Sequence, residues 1–238
     1  MSTLYLVRHG QATLHGDDYD ALSPRGREQA RALGRAWAAR GITLDALYVG
    51  PRLRHRETAD EMRAGAAESG AALPTPELQQ GFDEVDVGRL VGEALRRVLP
   101  ACPDLTEQLA RGKLDDAGRA AFGHLGGVLQ RLLERWAAGD PDHADLEPFD
   151  SFVRRAGSAL RDVMTAQGRS RRFAVVTSAG PVAVALKVAL GLVPEKAMAL
   201  MAATLNASIT ELRYTENRIT MVGFNDVGHL ADAMRTRI

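Results

Sequence analysis

Residues 4–13 read LYLVRHGQAT. The apolar run from Leu4 to Val7 is short and bounded by polar residues, the usual look of a buried strand. It stops at a fixed cation, Arg8, beside a titratable ring, His9, and a glycine, Gly10. A positive charge at the end of a buried strand is costly unless something negative visits it. What surrounds the strand decides whether that visitor belongs to the protein or is a ligand.

The next stretch, LSPRGREQARALGRAWAARG at 22–41, predicts a helix. Ser23 can cap it, Pro24 suits its first position, and Ala30, Leu33 and Trp37 keep helical spacing up to Gly41. A second strand at 44–49 leads through Gly50-Pro51 into a helix-forming segment at 52–67. Residues 74–92 read as a loop-rich passage, and 95–148 as an irregular helical insertion interrupted by Pro100, Pro103 and several glycines. Asp150 is placed as the cap of a helix with Phe152, Val153, Ala156 and Leu160 on one face. RFAVVT at 172–177 is a strand, and Gly180-Pro181 opens a helix running to about residue 190. Met198, Leu200 and Met201 read as core, and two strands at 208–214 and 218–224 form a hairpin at the sheet edge.

Strands alternating with helices predict an α/β fold: a mainly parallel sheet flanked by helices on both faces, with the helical insertion, in a single domain over 1–238. In that architecture ligands bind beyond the carboxyl ends of the strands. Three such ends are readable, at Arg8-His9, at residues 50–54 and at Ser178.

Thirty basic residues balance thirty acidic ones, so the chain lacks the positive excess of a protein that binds nucleic acid through its backbone. Any anion site is local. Only Lys113, Lys187 and Lys196 are lysines, so arginine is common background and a lone one proves little. Cys102 is the single cysteine, which excludes an intramolecular disulfide and a multi-cysteine zinc site. The first apolar run is too short for a signal peptide, and 181–193 is too short to span a bilayer and carries Lys187. A cytoplasmic protein without a membrane partner is expected.

Arg54 falls in the first turn of a predicted helix, where free N–H groups and the dipole already favour an anion. With Arg8 it can clamp a tetrahedral oxyanion through forked donors. Two guanidiniums also lower the pKa of a neighbouring imidazole, and a neutral His9 can attack phosphorus. For either arginine taken alone, a surface salt bridge is the simpler reading.

LVRHGQAT resembles the signature of the histidine phosphatase superfamily, the fold shared by phosphoglycerate mutases and many phosphatases. SPRGREQARALG at 23–34 is similar to that family's first helix, and GPRLRHRETA at 50–59 to its second arginine motif. The resemblance implies that His9 is the nucleophile that becomes phosphohistidine, with Arg8 and Arg54 on the phosphoryl oxygens. FDEVDVGRLVG at 82–92 is similar to the family's acidic stretch, which makes Glu84 the implied general acid. Thr13, close after Gly10, is a further candidate phosphate donor. No cofactor and no metal is implied. The expected partner is a small-molecule phosphate ester, and the sequence leaves room for a homo-oligomer.

Where the family has a second histidine after the late strand, this chain reads VVTSAGPV, with Ser178 in its place. A serine can donate one hydrogen bond to a phosphoryl oxygen but brings no positive charge. A slow phosphatase is expected, and the alternative is a non-catalytic phosphate-ligand binding or regulatory protein on the same fold. A serine hydrolase built on Ser178 has half a motif, since Val176 stands where the nucleophile elbow needs glycine. His15 and His55 flank the pocket in sequence and read either as phosphate donors or, the commoner outcome, as surface histidines. Asp17, Asp18 and Asp20 read as solvated acids, and Asn206 and His229 as residues that hold loops in place.

Overall fold

The structure is a computed structural model and describes residues 1–13, 20–86, 88–111, 113–215 and 218–237. His15, Asp17 and Asp18 lie outside the described residues. Six strands, β1 (Ser2–Arg8), β2 (Ala46–Val49), β3 (Pro76–Leu78), β4 (Arg172–Thr177), β5 (Ile209–Thr215) and β6 (Arg218–Asp226), form one sheet in the order β3-β2-β4-β1-β5-β6. The four strands from β3 to β1 run parallel, and β5 and β6 are antiparallel at one side, so the sheet is mainly parallel as expected.

Strand periodicity splits the core between two faces. Leu4, Leu6, Phe173 and Val175 bury on one face, and Tyr5, Val7, Ala174 and Val176 on the other. The helices are α1 (Pro24–Ala39), α2 (Leu53–Glu68), α3 (Gly88–Val98), α4 (Leu105–Arg111), α5 (Asp116–Ala137), α6 (Phe149–Gln167), α7 (Ala179–Leu190) and α8 (Pro194–Ala203). Ala30, Leu33 and Trp37 of α1 and Met62 of α2 cover one face, and Leu160 and Val163 of α6 with Leu186 of α7 cover the other. Ser23 Oγ accepts from Gly26 N at 3.1 Å, the cap its position implies.

The differences from the sequence reading lie where punctuation is weak. The passage at 74–92 contains β3 and the start of α3, and residues 194–203 form α8 rather than unassigned core. Asp150 does not cap α6: the capping position is Pro148, and Asp150 sits in the first turn, where its charge still suits the helix dipole. The insertion holds three helices, α3 to α5, with a core of their own in which Leu90, Leu105, Leu125 and Leu132 pack towards Phe152, Ala183 and Met198. This cap sits over the carboxyl end of the sheet. Among the described residues no helix is long and apolar enough to cross a membrane.

Candidate active site

The carboxyl ends of β1, β2 and β4 lie side by side, and the loops that leave β1 and β2 stay attached to β4. His9 N–H donates to Thr177 O at 2.8 Å, and Gly50 N–H donates to Val176 O at 3.0 Å. After His9 the chain passes so close to α1 that a Cβ on Gly10 would fall 2.4 Å from Gly26 O. Gly10 N–H donates to Thr58 Oγ1 of α2, which donates in turn to Arg54 O. His9 and the first turn of α2 are thereby tied together.

His9 is buried, 7 % exposed. Its Nδ1 lies 2.7 Å from Gly10 O. A carbonyl only accepts, so Nδ1 carries the proton and Nε2 keeps the lone pair. Burial, then Arg54, then Arg8, hold the imidazole well below its usual pKa, which keeps it neutral. Its own carbonyl accepts from Ala207 N and Asn206 Nδ2, and Asn206 Oδ1 accepts from Thr236 Oγ1, so Asn206 does hold this loop.

Arg8, His9, Thr13, Arg54 and Glu84 all line one cavity. Arg8 Nη1 donates to Thr204 O, and Arg54 Nη1 donates to Asp20 Oδ1 at 2.6 Å. Asp20 also accepts from Leu53 N at 2.6 Å, so it serves the start of α2 and its arginine rather than solvent. The Nε atoms of Arg8 and Arg54 are buried and have no partner among the described residues. Burial lowers the Arg8 guanidinium to about 10, with Glu84 opposing the shift and Arg54 adding to it. Each arginine therefore carries a desolvated donor without a partner among the described residues, on a side chain that lines the same cavity as His9.

Glu84 is buried, 7 % exposed. It rests on the start of α7, Oε2 accepting from Gly180 N at 2.9 Å and Oε1 from Val85 N at 3.0 Å. Burial raises its pKa against the pull of those N–H groups and of Arg54 and Arg8. Only glycine fits at 180, because a Cβ there would lie 2.0 Å from Glu84 Oε1. The loop is fastened on its other sides: Arg52 pairs with Asp83, Arg155 Nη1 donates to Gly81 O and Asp83 O, and Thr177 Oγ1 donates to Phe82 O.

Ser178 is 1 % exposed and lies outside the cavity wall, its Oγ 2.7 Å from His55 Nε2. His55 is no surface histidine: it is completely buried, its ring centroid 5.7 Å from that of His9, and burial followed by Arg54 and Arg52 keeps it neutral. A Cβ on Gly50 would fall 2.4 Å from its Nδ1, so glycine at 50 makes room for the ring. Thr13 lines the cavity with its hydroxyl on Ala21 O at 3.3 Å. Sequence reasoning missed the His55–Ser178 contact and the Asp20–Arg54 pair. The only available signal was that histidine departs from the alanine usual after the arginine of the family motif, while serine departs from histidine at 178.

Among solved structures, YhfR of Bacillus stearothermophilus aligns with a TM-score of 0.68 at 18% identity, over 96% of this chain and 99% of that one. A phosphoserine phosphatase of Entamoeba histolytica aligns at 0.63 and 16% identity, over 97% and 100%. A mycobacterial glucosyl-3-phosphoglycerate phosphatase aligns at 0.63 and 18%, over 96% and 99%. At these identities the likeness is one of fold. No protein of curated function matches the chain. The model of the histidine phosphatase superfamily (branch 1) matches residues 4–123 and 126–227, nearly the whole length, and with the arginine-histidine strand end in the place described above the chain belongs to that superfamily.

Proposed function

We propose that the protein hydrolyses phosphate monoesters through a phosphohistidine on His9. The observation that carries this is the convergence of Arg8, Arg54 and Glu84 on one cavity with His9, an imidazole whose proton is fixed on Nδ1. In the first step His9 Nε2 bonds to phosphorus, the bond from phosphorus to the alcohol oxygen breaks, and that oxygen takes the proton of Glu84. In the second, water attacks phosphorus and gives one proton to the Glu84 carboxylate. The P–N bond breaks, phosphate leaves, and His9 is neutral again. The raised pKa of Glu84 supports its role as the acid, and a bound phosphate dianion raises it further. The arginines neutralise the charge that develops on the phosphoryl oxygens.

Turnover is slow in this reading. Ser178 gives no charge where the family has a histidine, and its hydroxyl is engaged with His55, neither residue lining the cavity. Losing one charge-assisted donor costs about 1.5 to 3 kcal/mol, roughly ten- to two-hundred-fold in rate. The Ser178–His55 contact resembles the nucleophile and base of a serine hydrolase, but at 1 % exposure the hydroxyl has no access to an ester. The test is a generic aryl phosphate given to the purified protein. Slow turnover that disappears in His9→Ala, with acid-labile phosphate on the wild-type chain, is expected. Equal residual rates in both proteins, or tight ester binding with no phosphoenzyme, would leave only a phosphate-binding role.

A further inference from the structure

The cavity that holds the catalytic residues is far larger than a phosphate. Its volume is about 540 Å³, within the size range of pockets that enclose a whole organic ligand. A phosphoryl group held by Arg8, His9 and Arg54 would fill only part of it. The rest of the wall comes from the helical cap and from α8, and it is chiefly apolar: Leu95, Phe122, Leu125, Leu129, Leu133 and Met201. Of the polar side chains on that wall, Gln130 Nε2 donates to Glu134 and Asn206 is engaged with His9 O and Thr236, and Thr106 and Arg237 complete the polar lining.

The long helix α5 faces this space with glycine at positions 123 and 126, and a Cβ on either would meet no atom within 4 Å. Glycine weakens a helix interior relative to alanine, so its use here goes against local stability and keeps the chamber wide. A dianionic head thus meets two arginines, and whatever carbon skeleton it is esterified to meets side chains that offer few hydrogen bonds. A sugar or amino-acid alcohol would set most of its hydroxyl or ammonium groups against hydrocarbon, with Thr106 and Arg237 the remaining polar side chains of the wall.

We infer that the substrate is the phosphate monoester of an apolar alcohol, an alkyl or aryl phosphate, with the phosphoryl group between Arg8, Arg54 and His9 and the hydrocarbon under α3, α5 and α8. This rests on the phosphatase reading for its turnover but not for its binding.

The experiment is a series of n-alkyl phosphates from methyl to decyl, with glycerol 3-phosphate and glucose 6-phosphate beside them, read as kcat/KM. The matching non-hydrolysable alkylphosphonates are titrated for Kd. Each added methylene is expected to raise kcat/KM, and to tighten phosphonate binding, about three- to four-fold until the chamber is full. Gly126→Leu is expected to shorten the best chain and lower the octyl-to-butyl ratio more than ten-fold. Flat dependence on chain length, preference for the polyol esters, or an unchanged ratio in Gly126→Leu would each overturn the inference. If no ester turns over, the phosphatase reading has failed, and phosphonate affinity still decides the substrate class.

Discussion

At the scale of single residues, two departures from the family pattern meet in space. Serine at 178 and histidine at 55 are 123 positions apart, yet they share one hydrogen bond, with the His55 ring centroid 5.7 Å from that of His9. Restoring the family histidine by Ser178→His alone would press a second ring onto His55, so that variant is expected to lose activity or stability. The double exchange His55→Ala with Ser178→His clears the space and returns a cationic donor. It is expected to raise kcat on an aryl phosphate ten- to two-hundred-fold, about 1.5 to 3 kcal/mol of transition-state stabilisation. Steady-state kinetics of both single variants and the double variant decide it, and additive effects would contradict the coupling. Arg8, His9 and Arg54 were legible in the sequence because each stands in a short motif at a strand or helix end, and Glu84, in a loop, was legible only through the resemblance of residues 82–92 to the family's acidic stretch. Asp20, His55 and Ser178 were not, because their roles come from contacts between loops that no local pattern encodes.

At the scale of elements, the start of α7 does the work of positioning. Its Gly180 N–H fixes one oxygen of Glu84, and the missing Cβ gives the carboxyl its place. Gly180→Ala is expected to push Glu84 out of line and cost activity by about the 10²- to 10⁴-fold typical of a lost general acid. It also costs stability, since the new Cβ would fall 2.9 Å from the buried Phe152 ring, against a small gain in helix propensity. Activity together with urea midpoints separates the two effects, and full activity in Gly180→Ala would show that Glu84 is not held there for catalysis. The elements with strong punctuation, β1, α1, β4 and α7, were legible from cap, proline and glycine. The three-residue edge strand β3 begins at a proline and shows no alternation, and α3 and α8 start in passages where glycine or proline argues for loop.

At the scale of the whole molecule, burial of neutral histidines makes stability depend on acidity. His9 and His55 stay well below the usual imidazole pKa, and burial takes His229 down to about 4. Below about pH 6.5 the unfolded chain binds protons at all three that the folded chain refuses, so stability falls as pH falls. Glu84 acts in the opposite sense, because its raised folded pKa makes its contribution largest below the unfolded value and lost as pH rises. Three histidines against one carboxyl leave the net dependence in the direction of stability lost on acidification. Urea midpoints are expected to drop between about pH 7 and pH 5, and a midpoint that rises over that interval would contradict the buried, neutral state of these rings.

The strand order carries one more consequence. β1, which ends in Arg8 and leads into His9, is made first, but its two neighbours in the sheet are β4 at 172–177 and β5 at 209–215. At a ribosomal pace of about 5 to 20 residues per second, that apolar segment waits roughly ten to forty seconds for its partners. Throughout that interval it is an open hydrogen-bonding edge in a crowded cell, so the nascent chain is at its most vulnerable to chaperone capture or aggregation before a single phosphate contact exists.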